Sequence, residues 1–160
     1  MALEIERKFL VADARWRSLV RRCELLRQGY LANTARCSVR VRLAGDRGWL
    51  SVKAMTPGIA RAEYEAPVPA ADAAAMLHGL CEGPLIEKWR HYAVYENREW
   101  EIDEFLGENA GLVIAELELE AADERFARPP WLGAEVTDDV RYYNFRLATQ
   151  PWRRWPENRA

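Results

Sequence analysis

The sequence has no uninterrupted apolar run of about 18 residues, the least that reads as a membrane-spanning helix, so no membrane partner is expected. Its three cysteines, Cys23, Cys37 and Cys81, are odd in number and lack zinc or redox spacing. Small buried thiols in a reducing cytoplasm are the expectation. The two histidines, His78 and His91, stand apart with no metal-binding partner at useful spacing. Walker A, GxGxxG and HExxH motifs are all missing. The opening residues, MALEIERKFL, carry charge within four positions and lack an apolar signal core. A cytoplasmic location follows as an expectation. Net charge is −2, which excludes a generally basic nucleic-acid binder. Lysine is scarce: of 23 basic residues only Lys8, Lys53 and Lys88 are lysine.

What the sequence does have is a period of two. With 160 residues it is long enough for one domain with a real core, here expected over 1–148 with a tail at 149–160. Apolar and ionic residues alternate at 3–9, 38–43, 49–53, 61–66, 87–92, 98–105 and 114–120, and 30–33 adds a short candidate. About eight strands are expected, with turns at Ala44-Gly45-Asp46-Arg47-Gly48 and Thr56-Pro57-Gly58. Three helices are expected between them. Residues 12–27 carry Trp16, Leu19, Val20, Cys23 and Leu26 on one stripe, with Asp13 as N-cap. Residues 70–81 form a second, stopped at Gly83. Residues 136–148 form a third, capped by Thr137. Trp152 and Trp155 read as anchors for an irregular tail.

The ionic faces segregate by sign. Arg40, Arg42, Lys53, Lys88 and Arg90 make cationic strands; Glu4, Glu6, Glu63, Glu65, Glu101, Asp103, Glu116 and Glu118 make anionic ones. Side chains at i and i+2 stand roughly 7 Å apart on one face. At an effective dielectric near 20, each like-charged pair costs about 2 kcal/mol. Water on the ionic face is the ordinary arrangement for an alternating strand. Here, however, the opposite faces are apolar enough to need cover. About eight antiparallel strands can close into a barrel with the ionic faces turned inward. Clustered arginine forks suit phosphate oxygens. Carboxylate clusters suit hard cations such as Mg²⁺ or Mn²⁺. Together they describe a site for a metal-chelated polyphosphate, where two ions could share charge neutralisation and water activation.

The opening Glu4-Ile5-Glu6-Arg7-Lys8 is an ExExK motif. It is followed in order by Val39-Arg40-Val41-Arg42, Ser51-Val52-Lys53, Glu63-Tyr64-Glu65, Glu87-Lys88-Trp89-Arg90, Glu101-Ile102-Asp103 and Glu116-Leu117-Glu118-Leu119-Glu120. As an ordered set this resembles the CYTH family, or triphosphate tunnel metalloenzymes, over roughly residues 2–148. The resemblance implies an α+β fold: an eight-stranded antiparallel barrel around a charged tunnel, helices outside and a C-terminal helix plugging one end. It implies metal-dependent hydrolysis of triphosphates. Position by position, it implies phosphate binding by Lys8, Arg40, Arg42, Lys53, Lys88 and Arg90. It implies metal binding, with two Mg²⁺ or Mn²⁺ ions, by Glu4, Glu6, Asp103, Glu116 and Glu118. Glu63 and Glu65 become tunnel residues, Lys8 and Tyr30 a catalytic pair, and Arg141 a plug residue facing the phosphates. Phe145 departs from the pattern, where many members carry a small polar residue.

Inorganic tripolyphosphate is the expected substrate, because no aromatic-and-amide pocket for a base or a thiamine ring stands out. A thiamine- or nucleoside-triphosphatase is the alternative, as is a class IV adenylate cyclase. The latter is disfavoured because only Met1-Ala2-Leu3 precede the ExExK strand. A polyphosphate- or nucleotide-binding module without turnover is the third reading, and it leaves so many carboxylates without a use. Expected partners are therefore a small polyphosphate or organic triphosphate, with no nucleic acid, and the chain a monomer or homodimer.

Overall fold

The computed structural model describes residues 2–56 and 59–159. Its described residues form nine strands: β1 (Ala2–Val11), β2 (Val20–Asn33), β3 (Cys37–Ala44), β4 (Arg47–Ala54), β5 (Ala60–Pro69), β6 (Glu82–Tyr95), β7 (Arg98–Phe105), β8 (Val113–Glu118) and β9 (Leu132–Glu135). Two α-helices, α1 (Ala70–Gly79) and α2 (Asn144–Thr149), join several short 3₁₀ turns. Strand pairing is antiparallel in the order β5-β4-β3-β2-β6-β7-β8-β1, and β1 pairs back onto β5, so eight strands close into a barrel. Along that edge β1 serves two partners: Ala2 to Ile5 pair with β5, while Phe9 and Val11 pair with β9.

Closure decides where each parity goes. Ile5, Phe9, Trp100, Ile102, Ala115 and Leu117 point out of the barrel and are buried with Trp16 and Trp131 in the largest core. Fully burying such a side chain contributes roughly 1.5–3 kcal/mol. The wall is therefore held mainly from outside, where Trp100 packs edge-to-face on Trp131 at 5.6 Å. Helix α1 places Ala73 and Leu77 against Val41 in a second core. The inward parity changes character near one end. There Ile86, Phe105 and Ile114 meet Tyr142, Leu147, Ala148 and Trp155, and the C-terminal segment seals that end.

Three expectations about local structure are corrected. Residues 12–27 are not a helix: a 3₁₀ turn at Arg15–Leu19 runs straight into β2. Asp13 accepts the Arg15 N–H at 2.9 Å, as a cap would, but Val20–Asn33 is claimed by two neighbours, β3 and β6. Cross-strand pairing on both edges overrides a helical stripe. Glu24 therefore lies on a strand, bonded to Arg47 and Tyr92, and Cys23 is exposed rather than buried. Residues 136–148 form a 3₁₀ turn (Val140–Tyr142) and then α2, rather than one helix. Thr137 caps nothing; its hydroxyl oxygen accepts the Lys8 N–H, and Asp139 accepts the Arg141 N–H instead. Strand β9 was not expected. Its sequence, LGAE, carries little strand signal, and Gly133 is needed because a Cβ there would stand 3.2 Å from the Leu10 carbonyl oxygen. The turn over 44–48 joins β3 to β4; of the turn expected at Thr56-Pro57-Gly58, Pro57 and Gly58 lie outside the described residues. Among the described residues no helix is long and apolar enough to cross a membrane.

Candidate active site

Inside the barrel lies a cavity of about 880 Å³ lined by Glu4, Glu6, Arg40, Arg42, Lys53, Glu63, Glu65, Arg90, Glu101, Glu116 and Glu118. A smaller one of about 50 Å³ lies toward the plugged end, among Lys8, Tyr30, Tyr143 and Phe145. Glu6, Arg40, Lys53 and Asn144 border both, so the two lie side by side in the barrel interior, here termed the tunnel. The alternation of β1 explains the sequence of functions along it. Glu4 and Glu6 line the wider part, and Lys8 the inner part. Gly29, just before Tyr30, permits the strand to press on Cys81 and Leu85, where a Cβ would meet the Cys81 sulfur at 2.7 Å.

Within this tunnel, cations and carboxylates hold one another. Lys8 lies 3.2 Å from Glu116, Lys53 contacts Glu4 and lies 3.5 Å from Glu6, and Arg40 lies 3.5 Å from Glu63. The Ser51 hydroxyl donates to Glu65 at 2.8 Å. Burial would lower the Lys8 pKa, but Glu116 and Glu6 outweigh it and hold the ammonium above its ordinary value. Burial raises Glu4, against the pull of Lys53. It also raises Glu6, and Glu116 adds to that. Glu101 is raised by burial, against Arg90. Glu116 goes the other way: burial opposes its charge, yet Lys8 and Arg90 bring it well below the carboxylate range.

Two of the expected site residues sit behind the lining. Asp103 is fully buried, and Arg90 donates to both of its oxygens at 2.8 Å while Lys88 donates at 2.6 Å. Burial alone would raise Asp103; Arg90 and Lys88 together lower it to about 2. Lys88 also donates to the Asn144 side chain at 3.2 Å, and burial, opposed by Asp103, lowers it to about 8. Neither residue borders the cavities. The carboxylate that reaches the cavity from β7 is Glu101, at the same parity two positions earlier. Arg141, expected to face the phosphates, lies outside the tunnel, half exposed and paired with Asp139 and Glu157. Tyr30 does line the inner cavity, where burial raises its phenol against Arg40 and Arg42. No hydrogen bond joins it to Lys8 among the described residues. Asn144, Tyr143 and Arg61 also line the site; nothing in the local sequence marks Asn144 and Tyr143, because their position depends on how the C-terminal segment folds back, and Arg61, on β5, shows only the parity of Glu63 and Glu65.

Arg42 stands outside this pairing. Its guanidinium donates to Gln28 at 3.1 Å, and no carboxylate lies within 4 Å among the described residues. Burial, with Arg40 and Arg90 nearby, lowers it to about 10. Carboxylates show the mirror image. Glu6 faces Glu118, and Glu101 faces Glu116, directly across strand pairs. Like charges so placed oppose pairing. Such oxygen-only donors suit a hard divalent cation. Among the described residues no three acidic, histidine or cysteine groups already converge as a metal site. The lysines hold several of these carboxylates instead. In donor chemistry the residues fit a hard divalent metal.

The CYTH domain family matches residues 2–145. An inorganic triphosphatase of Acetivibrio thermocellus is 46% identical over 157 residues, covering 98% of this chain and 100% of that protein. An inorganic triphosphatase of Nitrosomonas europaea is 38% identical over 152 residues, covering 91% and 96% respectively. A crystal structure of an inorganic triphosphatase superposes with a TM-score of 0.64 at 34% identity, over 92% of this chain and 95% of that one. A Hippeastrum protein described as a putative adenylyl cyclase with dominant triphosphatase activity shares the fold alone, at 13% identity and a TM-score of 0.57 over 74% of this chain. With the family match running through the barrel and its ordered ionic motifs, the chain belongs to the CYTH family.

Proposed function

We propose that this protein is a metal-dependent triphosphatase that hydrolyses inorganic tripolyphosphate in the barrel tunnel. The observation that carries the reading is Arg42. A cation beside two other arginines, without a carboxylate in contact, is costly unless an anion joins it. Arg40 and Arg42 present planar forks suited to successive phosphate oxygens, Lys53 and Lys8 add point charges, and Arg90, held on both oxygens of Asp103, adds positive charge to the lining. The names of the two curated relatives support the inorganic substrate.

Glu4, Glu6, Glu101, Glu116 and Glu118 are the residues we assign to metal. A bound Mg²⁺ or Mn²⁺ supplies neutralisation of phosphate oxygens and polarisation of the reacting centre. Asp103, read from the sequence as a ligand, serves instead to fix Lys88 and Arg90, since both its oxygens are taken. The chain's own contribution is charge and position. Lys8 and Tyr30 both stay protonated near neutral pH, given the directions of their shifts. Lys8 acts as a fixed charge, and Tyr30 as a hydrogen-bond donor to a phosphate oxygen or to the attacking water. Water adds at the terminal phosphorus, the anhydride bond breaks, and pyrophosphate leaves.

An organic triphosphate is the second reading, favoured by one feature: Leu3 and Tyr64 are both more than half exposed and both line the wider cavity. They offer an apolar rim to a base or thiazole ring. The test is phosphate release from tripolyphosphate, thiamine triphosphate, ATP and pyrophosphate, each with and without Mg²⁺ or Mn²⁺. Metal-dependent release from tripolyphosphate alone is expected. Release only from an organic triphosphate would transfer the reading to the rim. Cyclic nucleotide from ATP would make it a cyclase, and binding without any release would make it a sensor.

A further inference from the structure

We infer that Arg61, steadied by the ring of Tyr143, is an additional phosphate-binding cation at the inner end of the tunnel, forming a subsite for one end of a tripolyphosphate chain. The inference rests on the triphosphatase reading above. Arg61 opposes Glu4 across the β1–β5 pair, but Glu4 is held by Lys53. No carboxylate lies within 4 Å of the Arg61 guanidinium among the described residues, and none of its side-chain N–H groups donates within them. An arginine has five such donors. This one borders the small inner cavity with Lys8, Tyr30 and Lys53. Among the described residues its close support is aromatic: its guanidinium carbon lies 4.5 Å from the centre of the Tyr143 ring. The Lys8 ammonium lies 5.2 Å from the same ring.

Tyr143 is not free to follow them. Its hydroxyl donates to the Thr137 carbonyl at 2.7 Å, and Thr137 in turn accepts the backbone N–H of Lys8 at 3.0 Å. The carbonyl of Lys8 accepts the Val136 N–H at 2.8 Å. The C-terminal segment is thereby stitched to the strand that carries Lys8, and one ring serves two cations. A ring face attracts a cation without neutralising it. Lys8 finds its counter-charge in Glu116; Arg61 is left oriented and unneutralised. The cavity beside it, about 50 Å³, exceeds the roughly 30 Å³ share of one water and suits a single phosphoryl group. It adjoins the wider cavity, with which it shares Arg40 and Lys53 as lining. A three-phosphate chain anchored on Arg40 and Arg42 therefore has somewhere for its end to go, and a two-phosphate chain does not need it.

The test is calorimetric binding of tripolyphosphate and of pyrophosphate, without added metal, to the full chain and to Arg61→Gln, Tyr143→Leu and Tyr143→Phe. Loss of a charge-assisted contact predicts that Arg61→Gln weakens tripolyphosphate roughly tenfold or more and pyrophosphate less than about twofold. Tyr143→Leu should show the same selectivity with a smaller loss, of roughly fivefold. Tyr143→Phe, which keeps the ring, should recover most of that loss. Arg61→Lys, which keeps the charge without the fork, should fall between wild type and Arg61→Gln and serves if the glutamine variant does not fold. Unchanged tripolyphosphate affinity in Arg61→Gln, or equal weakening of both ligands, would overturn the subsite. Wild-type phosphate release alongside unchanged Arg61→Gln binding would sink the subsite alone. Selective weakening without any wild-type phosphate release would sink the reaction and keep the subsite.

Discussion

Around Asp103, on β6 and β7, every charge has a partner in contact; Arg42, on β3, has no carboxylate in contact among the described residues, and Arg40 and Arg90 act on it more strongly than any carboxylate. Both regions belong to one barrel wall, use the same residue types and lie on the same inward parity. At Asp103 two cations converge on one carboxylate whose oxygens are both occupied. At Arg42 the guanidinium has only the Gln28 amide oxygen. The first arrangement completes itself within the chain. The second leaves a positive charge to be completed by something else. The contrast teaches that pattern alone places charges in a tunnel, while pairing separates those that build the wall from those that meet a ligand.

The sharpest way to break this comparison is Asp103→Asn. It strands two buried cations, and removing one partner of a buried ion pair typically costs about 3–5 kcal/mol. Urea unfolding should register a loss of that order, without a change in how unfolding depends on ligand class. If stability instead stayed within about 0.5 kcal/mol, the range of ordinary surface changes, Asp103 would not be the structural centre claimed here.

Arg42→Gln should behave oppositely. Removing a cation with no carboxylate in contact should leave stability unchanged or slightly raised, because the repulsion from Arg40 and Arg90 that is relieved outweighs the attraction of Asp103 and Glu101 that is lost. Catalysis should fall by roughly 100-fold in kcat/KM, about 2.7 kcal/mol of transition-state stabilisation. A variant that lost stability and kept activity would reverse the assignments of the two regions.

Much of this was legible beforehand, and the misses share a cause. Period-two alternation with segregated signs located the barrel wall and placed Arg40, Arg42, Lys53, Glu63 and Glu116 on one lining. It did not separate Asp103 from Glu101, since both share a parity and only depth along the barrel differs. Depth follows from register: Asp103 pairs with Ile114 and Glu101 with Glu116, so one faces the apolar floor and the other the ionic cavity. Residues 12–27 satisfied a helical stripe, yet the two open edges of β3 and β6 needed a strand between them. That demand is non-local and invisible in a window. Arg141 was placed in the tunnel by expecting one continuous plug helix; the break at Tyr143 turns Arg141 outward to Asp139 and Glu157 and brings Tyr143 in. Arg61 had no sequence signal beyond its parity with Glu63 and Glu65.

Glu118 offers a smaller effect that extends the comparison to the carboxylates. It lines the cavity opposite Glu6, but its carboxylate has no cation within 4 Å among the described residues (Arg98 reaches its backbone carbonyl at 3.0 Å), whereas Glu116 is held by Lys8. Glu118→Gln should therefore weaken Mn²⁺ binding, followed by calorimetry, about tenfold with little change in stability. Glu116→Gln should disturb both, because it also releases Lys8. Equal stability losses in the two variants would show that the pairing seen around Glu116 does not matter to the fold.

The smallest effect expected is in the pH dependence of stability, and it should change sign. Glu4, Glu6 and Glu101 have raised pKa values, first through burial, so the folded state binds protons more readily than the unfolded chain there. Stability should rise by something on the order of 1 kcal/mol as pH falls toward the ordinary carboxylate range, offset in part by His91, whose pKa burial depresses, since the linkage slope follows the difference in bound protons. Asp103 and Glu116 are depressed, so their contribution is present above the ordinary carboxylate range and is lost as pH falls through it toward about 2. Below about pH 4 the direction should therefore reverse. Thermal melts across this range, at fixed ionic strength, should show a maximum on the acid side of neutrality, above the range in which Asp103 and Glu116 take up protons. A curve that only fell on acidification would mean that the raised carboxylates are relieved by water rather than held apart by the barrel. In that case Glu6 and Glu118 would no longer be poised for a metal by mutual repulsion.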